Sequence, residues 1–160
     1  MPDELPLDPE SPLWRVTAYR LALEPIDAAE ADTRGIVTDP RFRESAEQLI
    51  SAVGSISATI AEGYARRSPL DRARYYEYGY GSANEARSWY YGARRLLAPK
   101  VIQERANRLT SICRLLTRMI QNERNGDDNW NSPRRDQRPD SSPPPPHPRD
   151  PPPPDPSAPG

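Results

Sequence analysis

The chain contains few of the side chains that most enzyme and metal sites need. Of its 160 residues, one is cysteine and one is histidine. Cys113 has no second cysteine with which to form a disulfide, and His147 lies in a proline-rich C-terminal segment. Histidine-based catalysis and most metal sites are therefore excluded from the rest of the chain, and a lone thiol is typical of a reducing compartment. We expect a non-enzymatic cytoplasmic protein with no catalytic residue, no metal site and no cofactor.

The sequence also lacks a long apolar run. No stretch approaches the ~18 consecutive apolar residues that a membrane-spanning helix needs. Residues 1–12 are acidic and interrupted by proline, unlike a secretory signal or a transit peptide. We therefore expect a flexible acidic N-terminus over residues 1–12 and no partner in the membrane.

Large apolar residues are scarce in the C-terminal segment. Residues 125–160 hold 13 of the 21 prolines and contain no Phe, Tyr, Leu, Ile or Val. Such a segment cannot bury enough apolar surface to offset the entropy lost on ordering. The sequence predicts a disordered Pro-rich tail over residues 125–160 and a folded unit over residues 13–124.

Within the folded unit, apolar residues recur at helical spacing in four stretches. The spacing predicts helices over about 13–23, 40–64, 68–97 and 99–126, with a loop over about 27–39. Ser68-Pro69 is a start signal for the third helix, and Gly126 is a stop signal for the fourth. No stretch alternates with a period of two for long. We therefore predict an all-α fold, an antiparallel up-down four-helix bundle.

The second and third predicted helices are expected to form a hairpin around a turn near Ser68. Facing residues then have numbers that sum to about 135, which places Gly54 opposite Gly81. Two small residues that meet allow a close approach of the backbones. The same register brings Glu62 near Arg72 and Arg74 and predicts an ion pair.

Positive charge concentrates in the helical region. Residues 41–124 contain 15 Lys and Arg against 8 Asp and Glu, and Lys100 is the only lysine of the chain. Four arginines flank the second turn, interleaved with tyrosines, and this combination can contact a phosphate backbone while rings stack on bases. We predict nucleic-acid binding by Arg66, Arg67, Arg72 and Arg74. The alternative is a solvated turn whose arginines pair with neighbouring acids.

Aromatic residues crowd into the third helix. Six of the eight tyrosines lie between residues 75 and 91, and one helix face cannot hold them all. Because Tyr and Trp are favoured at protein interfaces, we predict an oligomer interface. The residues assigned to it are Tyr75, Tyr78, Trp89 and Tyr91. In the alternative, the core takes Tyr76, Tyr80 and Tyr90 and the others lie on the surface.

Two motifs in this region resemble a known family. The run Ser55-Ile-Ser-Ala-Thr-Ile-Ala-Glu-Gly-Tyr-Ala-Arg-Arg-Ser68 is similar to the signature of the bacterial four-helix-bundle family, also called the 23S rRNA intervening-sequence protein family. Residues 81–85, Gly-Ser-Ala-Asn-Glu, match its second signature. The resemblance covers roughly residues 13–124.

The resemblance implies a four-helix protomer that assembles into a ring, in known cases a pentamer. One branch of the family is the accessory protein of diversity-generating retroelements, which binds a reverse transcriptase and its template RNA through a basic surface. This sequence departs from the family at Ile50-Ser51, where many relatives carry an Arg pair, and at Thr59, which is usually Asn. Arg41 and Arg43, one or two turns earlier, are expected to replace the pair in part as nucleic-acid contacts.

Together these features favour a homo-oligomeric bundle, expected to be a pentamer, that binds structured RNA or a ribonucleoprotein. In its sharpest form the prediction is an accessory factor of a reverse transcriptase. The alternative is a scaffold that contacts only protein.

Overall fold

The computed structural model describes residues 10–131, with side chains described as far as residue 126. Across this range the secondary structure is entirely helical, which confirms the predicted all-α four-helix fold. The predictions for residues 1–9 and 132–160 lie outside the described residues. The elements are a 3-10 helix at Pro12–Arg15, α1 (Thr17–Ile36), a 3-10 helix at Pro40–Phe42, α2 (Arg43–Tyr64), α3 (Pro69–Gly92) and α4 (Pro99–Asn131).

The four helices pack so that α1 and α3 each contact both α2 and α4. The ion pairs of Asp32 with Arg105 and of Glu24 with Arg108 join α1 to α4. In the described part of the chain, no helix is long and apolar enough to cross a membrane.

The core combines small and large side chains from alternate helices. Large aliphatic residues on α2 and α4 are almost completely buried, among them Leu49, Ile56, Leu109 and Leu116. The buried residues of α1 and α3 include six alanines, together with larger side chains such as Ile36, Tyr76 and Tyr90. Alanine positions leave room for the large residues of the neighbouring helices, so the layers interdigitate.

α1 is longer than predicted, and the predicted loop over residues 27–39 is wrong. The helix continues through Pro25 to Ile36. A proline inside a helix costs about 3 kcal/mol because its ring displaces one hydrogen bond. Here the second half of the helix is rich in alanine and buries Ala29, Thr33 and Ile36. Burial of this face and alanine's high helix propensity keep the chain helical past the proline.

The ends of α3 and α4 also differ from the prediction. α3 ends at Gly92 rather than near Leu97, although Leu96 and Leu97 still pack against the core from the turn that follows. α4 continues through Gly126, the predicted stop, to Asn131. A glycine is a frequent helix terminator, but it does not force a helix to end.

The close approach of α2 and α3 occurs at different glycines from those predicted. A Cβ added at Gly54 or Gly81 would meet nothing within 4 Å, so the predicted contact between them is wrong. At Gly63, an added Cβ would lie 2.8 Å from Tyr76 Cε1 and 2.9 Å from Tyr75 Cβ. At Gly79 it would lie 2.9 Å from Thr59 Oγ1. The helix faces in contact are those of Gly63 and Gly79.

A partly buried polar network ties together α1, α3 and α4. The Tyr90 hydroxyl donates to Asp32 Oδ2 at 3.0 Å, and Arg105 Nε donates to the same oxygen at 2.8 Å. Burial, reinforced by the negative charge of Asp32, raises the pKa of Tyr90 above its ordinary range. The phenol therefore remains a hydrogen-bond donor wherever the protein is folded near neutral pH.

The first prediction concerns the contact at Gly63. We expect Gly63→Ala to lower the free energy of unfolding by about 1–3 kcal/mol, because the new methyl group overlaps Tyr75 and Tyr76. Gly54→Ala is the matched control, and it should raise stability by up to about 1 kcal/mol because its methyl group enters open space. Urea unfolding of both variants measures the difference. Equal effects of the two substitutions would contradict the close approach at Gly63.

The second prediction concerns the network at Asp32. Asp32→Ala removes the acceptor of both Tyr90 and Arg105, and we expect a loss of about 2–3 kcal/mol, because one buried and one partly buried donor are left unpaired. Glu30→Ala, which removes an exposed ion pair to Arg34, should cost less than about 0.5 kcal/mol. Thermal unfolding distinguishes the two. A small effect at Asp32 would show that the network adds little to stability.

Candidate functional site

The turn between α2 and α3 is shaped by a short run of capping residues. α2 ends at Tyr64, and the Ser68 hydroxyl accepts a hydrogen bond from the backbone N–H of Asp71 at 3.4 Å. Pro69 occupies the first position of α3, where its fixed backbone angle suits a helix start. The predicted start signal is confirmed. Arg66 and Arg67 lie in the exposed segment between the helices.

Arg72 closes this turn against α4. Its guanidinium binds the Glu123 carboxylate at 2.8 Å and donates through a second nitrogen to the carbonyls of Arg66 and Arg67, at 3.1 and 3.0 Å. The hydrogen bond to Glu123 raises the pKa of Arg72. The predicted ion pair with Glu62 is not among the contacts of the described residues. Arg72 is thus a structural residue of the turn.

Two other arginines of the turn rest on tyrosines. Arg66 donates to the Tyr75 hydroxyl at 2.6 Å, and its guanidinium carbon lies 4.5 Å from the centre of that ring. Arg74 donates to the Tyr78 hydroxyl at 2.8 Å, with its guanidinium carbon 5.9 Å from the ring centre. The two rings meet edge to face, with centres 5.8 Å apart. We call Arg66, Arg74, Tyr75 and Tyr78 the Arg–Tyr cluster.

Among the side chains that the structure describes, no carboxylate forms a hydrogen bond or an ion pair with the two arginines of the Arg–Tyr cluster. Its arginines donate to phenol hydroxyls, which are uncharged, and the bond to Tyr78 raises the pKa of Arg74. The exposed side chain of Arg67 makes no hydrogen bond or ion pair within residues 10–131. The cluster and Asp71 line an open recess of about 310 Å³.

Arg41 and Arg43 lie at the opposite end of α2. Arg41 binds Asp39 through two nitrogens, at 2.7 and 3.1 Å, and these hydrogen bonds lower the pKa of Asp39. Arg43 begins α2, and the 23 residues that separate it from Arg66 correspond to about 34 Å of helix. The structure therefore does not bring these two arginines together with the Arg–Tyr cluster.

The aromatic residues assigned to an oligomer interface separate into two groups. Tyr75 and Tyr78 belong to the Arg–Tyr cluster. Trp89 is half-buried against the core and donates its indole N–H to Glu85 Oε1 at 3.2 Å. Tyr91 is 64% exposed, and Arg94 lies over its ring at 4.2 Å.

The alternative prediction, in which Tyr76, Tyr80 and Tyr90 lie in the core, is correct for two of the three tyrosines. Tyr76 and Tyr90 belong to the core, with 3% and 1% of their surface exposed, whereas Tyr80 is 41% exposed. In α3, the positions of Tyr76 and Tyr90 share the face of the buried alanines.

Sequence reasoning missed two members of the site. The sequence suggests that Asp71 favours the helix start or pairs with an arginine of the turn, but it does not predict that Asp71 lines a recess. Glu123 follows the predicted apolar stripe of α4, and only the packing of α4 on α3 places it against Arg72. The pairing of Arg74 with Tyr78 could have been predicted from the sequence, because residues four positions apart on a helix are neighbours.

A larger recess of about 460 Å³ lies between α1 and α4. Its charged side chains are already matched within the described structure. Arg108 binds Glu24 at 2.8 Å, Arg105 binds Asp32, and Glu104 lies 3.8 Å from Lys100. The Arg–Tyr cluster is therefore the better candidate site for a charged ligand.

The structural role of Arg72 generates a prediction. We expect Arg72→Ala to lower the free energy of unfolding by about 1–2 kcal/mol, because Glu123 and two carbonyls lose their donor. Arg67→Ala should change it by less than about 0.5 kcal/mol, since that side chain is exposed. Thermal unfolding of both variants at the same pH measures this. If Arg67→Ala costs as much as Arg72→Ala, the division of roles within the turn is wrong.

The chain is similar in fold to a protein of known structure. A crystal structure at 1.70 Å of a protein with unknown function, from the S23 ribosomal protein family of Bacteroides thetaiotaomicron VPI-5482, has a TM-score of 0.61 and 20% identity. The alignment covers 66% of this chain and 99% of that one, and it shows a shared fold. The comparison with curated proteins gave no match.

The family model for the 23S rRNA-intervening sequence protein matches residues 39–122, which include α2, α3 and most of α4. Both motifs that carried the resemblance, at residues 55–68 and 81–85, lie inside this match, whereas α1 lies outside it. The match covers more than half of the chain. This protein therefore belongs to the 23S rRNA-intervening sequence protein family.

Proposed function

We propose that this protein is a non-enzymatic, homo-oligomeric helical bundle of the cytoplasm that binds structured RNA or a ribonucleoprotein. One observation carries the proposal. Arg66 and Arg74 are held by phenol hydroxyls instead of carboxylates, and Arg67 is exposed beside them. Their charge is therefore available to an anionic partner. The single cysteine, Cys113, is a buried free thiol, as is usual in a reducing compartment.

The chemistry of the cluster suits nucleic acid better than a small anion. Guanidinium groups bind phosphate oxygens through paired N–H donors, and tyrosine rings stack on bases. Tyr78 is 47% exposed, so the cluster offers an aromatic surface next to its cations. A folded RNA with unpaired bases presents both of the groups that such a surface recognises.

Assembly into a homo-oligomer, in the form of a pentameric ring, belongs to the same proposal. Support comes from the family and from the exposed aromatic surface near the end of α3. Tyr91 and the half-buried Trp89 lie there, more than ten residues from Tyr78 along α3. In this arrangement Trp89 and Tyr91 contact a neighbouring protomer, and Tyr75 and Tyr78 face RNA. The sharpest version is an accessory factor that presents template RNA to a reverse transcriptase.

A second candidate is a scaffold that contacts only protein. The exposed side chain of Ile50, 47% accessible, favours it, because this position carries one of the Arg pair in many relatives. An apolar residue there is better suited to protein than to phosphate. On this alternative, the arginines serve solubility and subunit contacts.

The test compares the two ends of the bundle. Binding of the full chain to a fluorescent RNA stem-loop is followed by anisotropy across a salt series. We expect substitution of Arg66, Arg67 and Arg74 by Ala to weaken binding at least tenfold and to reduce the salt slope by about 2–3, because three phosphate contacts are lost. The matched control substitutes Arg34, Arg94 and Arg95 by Ala and removes the same charge from the opposite end.

Three outcomes separate the possibilities. Loss of affinity in the first triple variant alone supports the proposal. Loss in the control alone would move the site to the end that holds Arg41 and Arg43. Absence of RNA binding at low salt by the unaltered protein would rule out the RNA function and leave the protein-only scaffold.

A further inference from the structure

The recess beside the Arg–Tyr cluster contains an unused hydrogen-bond acceptor. The Asp71 backbone N–H is bound by Ser68, but its carboxylate accepts no hydrogen bond and forms no ion pair within the part of the chain that the structure describes. It lies close enough to Arg74 to contribute to the raised pKa of that group. An ionised carboxylate has only acceptor sites, so it selects a ligand with N–H donors.

The other walls of the recess are formed mainly by polar groups of Arg66, Arg74, Tyr75 and Tyr78. The rings of Tyr75 and Tyr78 meet edge to face at an interplanar angle of 78°, and Tyr78 is 47% exposed, so a flat ring can stack beside these groups. The guanidinium of Arg66 lies over the Tyr75 ring, and a planar guanidinium also stacks on bases. The volume of about 310 Å³ accommodates one nucleobase. Phosphates that flank such a base would lie near Arg66, Arg67 and Arg74.

From this combination we propose that the recess binds a single unpaired guanine of the RNA. Guanine carries two adjacent donors on its Watson–Crick edge, N1–H and the N2 amine, which match the two oxygens of one carboxylate. Adenine and cytosine offer one amine donor next to an acceptor nitrogen, and the edge of uracil places one N–H between two carbonyls. Both arrangements direct a lone pair or a carbonyl at Asp71.

The inference rests on the proposed RNA function and makes it more specific. Phosphate contacts by the arginines hold the RNA without reading its sequence, whereas the contact to Asp71 reads one base. Because the edge that Asp71 reads is occupied in a base pair, the guanine must be in a loop, a bulge or a single strand. The recess thus selects an unpaired guanine within a folded RNA.

The test uses the full chain and four RNA hairpins with the same stem and a uridine loop that contains one variable nucleotide. This nucleotide is guanosine, inosine, adenosine or uridine, and anisotropy gives the dissociation constants at one salt concentration. We expect the guanosine loop to bind about tenfold tighter than the adenosine and uridine loops. Inosine, which keeps N1–H and lacks the N2 amine, should fall between them.

Two variants connect this preference to the recess. Asp71→Asn should bring the guanosine loop to within about twofold of the uridine loop while RNA binding persists, because the amide replaces one acceptor oxygen with a donor. Tyr78→Leu should weaken binding to all four hairpins several-fold through lost stacking. Tyr80→Leu, an exposed tyrosine outside the cluster, is the control and should leave binding unchanged.

The two ideas fail in different ways. Equal binding of all four hairpins, still lost when Arg66, Arg67 and Arg74 are replaced by Ala, would overturn the guanine site and leave the RNA function intact. A guanosine preference that survives Asp71→Asn would also overturn it. No binding to any hairpin would remove the RNA function and the guanine site together.

Discussion

The contact of Gly63 on α2 with Tyr75 and Tyr76 on α3 is the constraint on which the site depends. Without a side chain at Gly63, the α2 backbone comes directly against Tyr75 Cβ and the Tyr76 ring. Tyr76 is thereby held in the core, and Tyr75, one residue earlier, is fixed at the edge of the hairpin. Arg66 follows Gly63 by less than one helical turn, so its guanidinium reaches the Tyr75 ring. A wider separation of the two helices would part the cation from the ring.

Arginines that are neighbours in sequence perform different tasks in this turn. Arg72 is partly buried, binds Glu123 and the carbonyls of Arg66 and Arg67, and joins the turn to α4. Arg66 and Arg74 remain at the surface and donate to uncharged hydroxyls. A carboxylate partner neutralises the positive charge of an arginine. A phenol hydroxyl orients the guanidinium without neutralising it, so the charge remains available to an anionic ligand. The composition of the turn is uniformly basic, but only part of that charge is available to a ligand.

The opposite end of the bundle shows the same distinction in another form. Arg41 is neutralised by Asp39, the residue that also caps the adjoining 3-10 helix. The partly buried pair of Asp32 and Arg105, with Tyr90, joins three helices in the half of the bundle that contains the end of α1. The ion pair of Asp32 with Arg105 holds helices together in this half. Arg43, Arg94 and Arg95, in the same half, are exposed.

Local signals in the sequence determined most of the fold. The stripe of Leu109, Cys113 and Leu116, and the Ser68-Pro69 start, specify helices through spacing and capping alone, and the structure has them where they were predicted. The same local reasoning failed at Pro25 and at Gly126, where α1 and α4 continue. A helix-breaking residue has only a weak effect when the face of the helix on both sides of it is buried, and a glycine does not by itself end a helix. For α1 this face includes Ala29 and Ile36, and its burial is a property of the neighbouring helices.

For the site, the sequence determined which residue types gather at the turn, since arginines and tyrosines flank Ser68 on both sides. Only the tertiary structure decided which arginine is structural and which is available, because Glu123 lies 51 residues beyond Arg72 and reaches it through packing of α4 on α3. The meeting of α2 and α3 at Gly63 and Gly79, and not at Gly54 and Gly81, was likewise decided by the fold. Residue spacing fixes the face of one helix, but the faces that meet are chosen by the packing of all four.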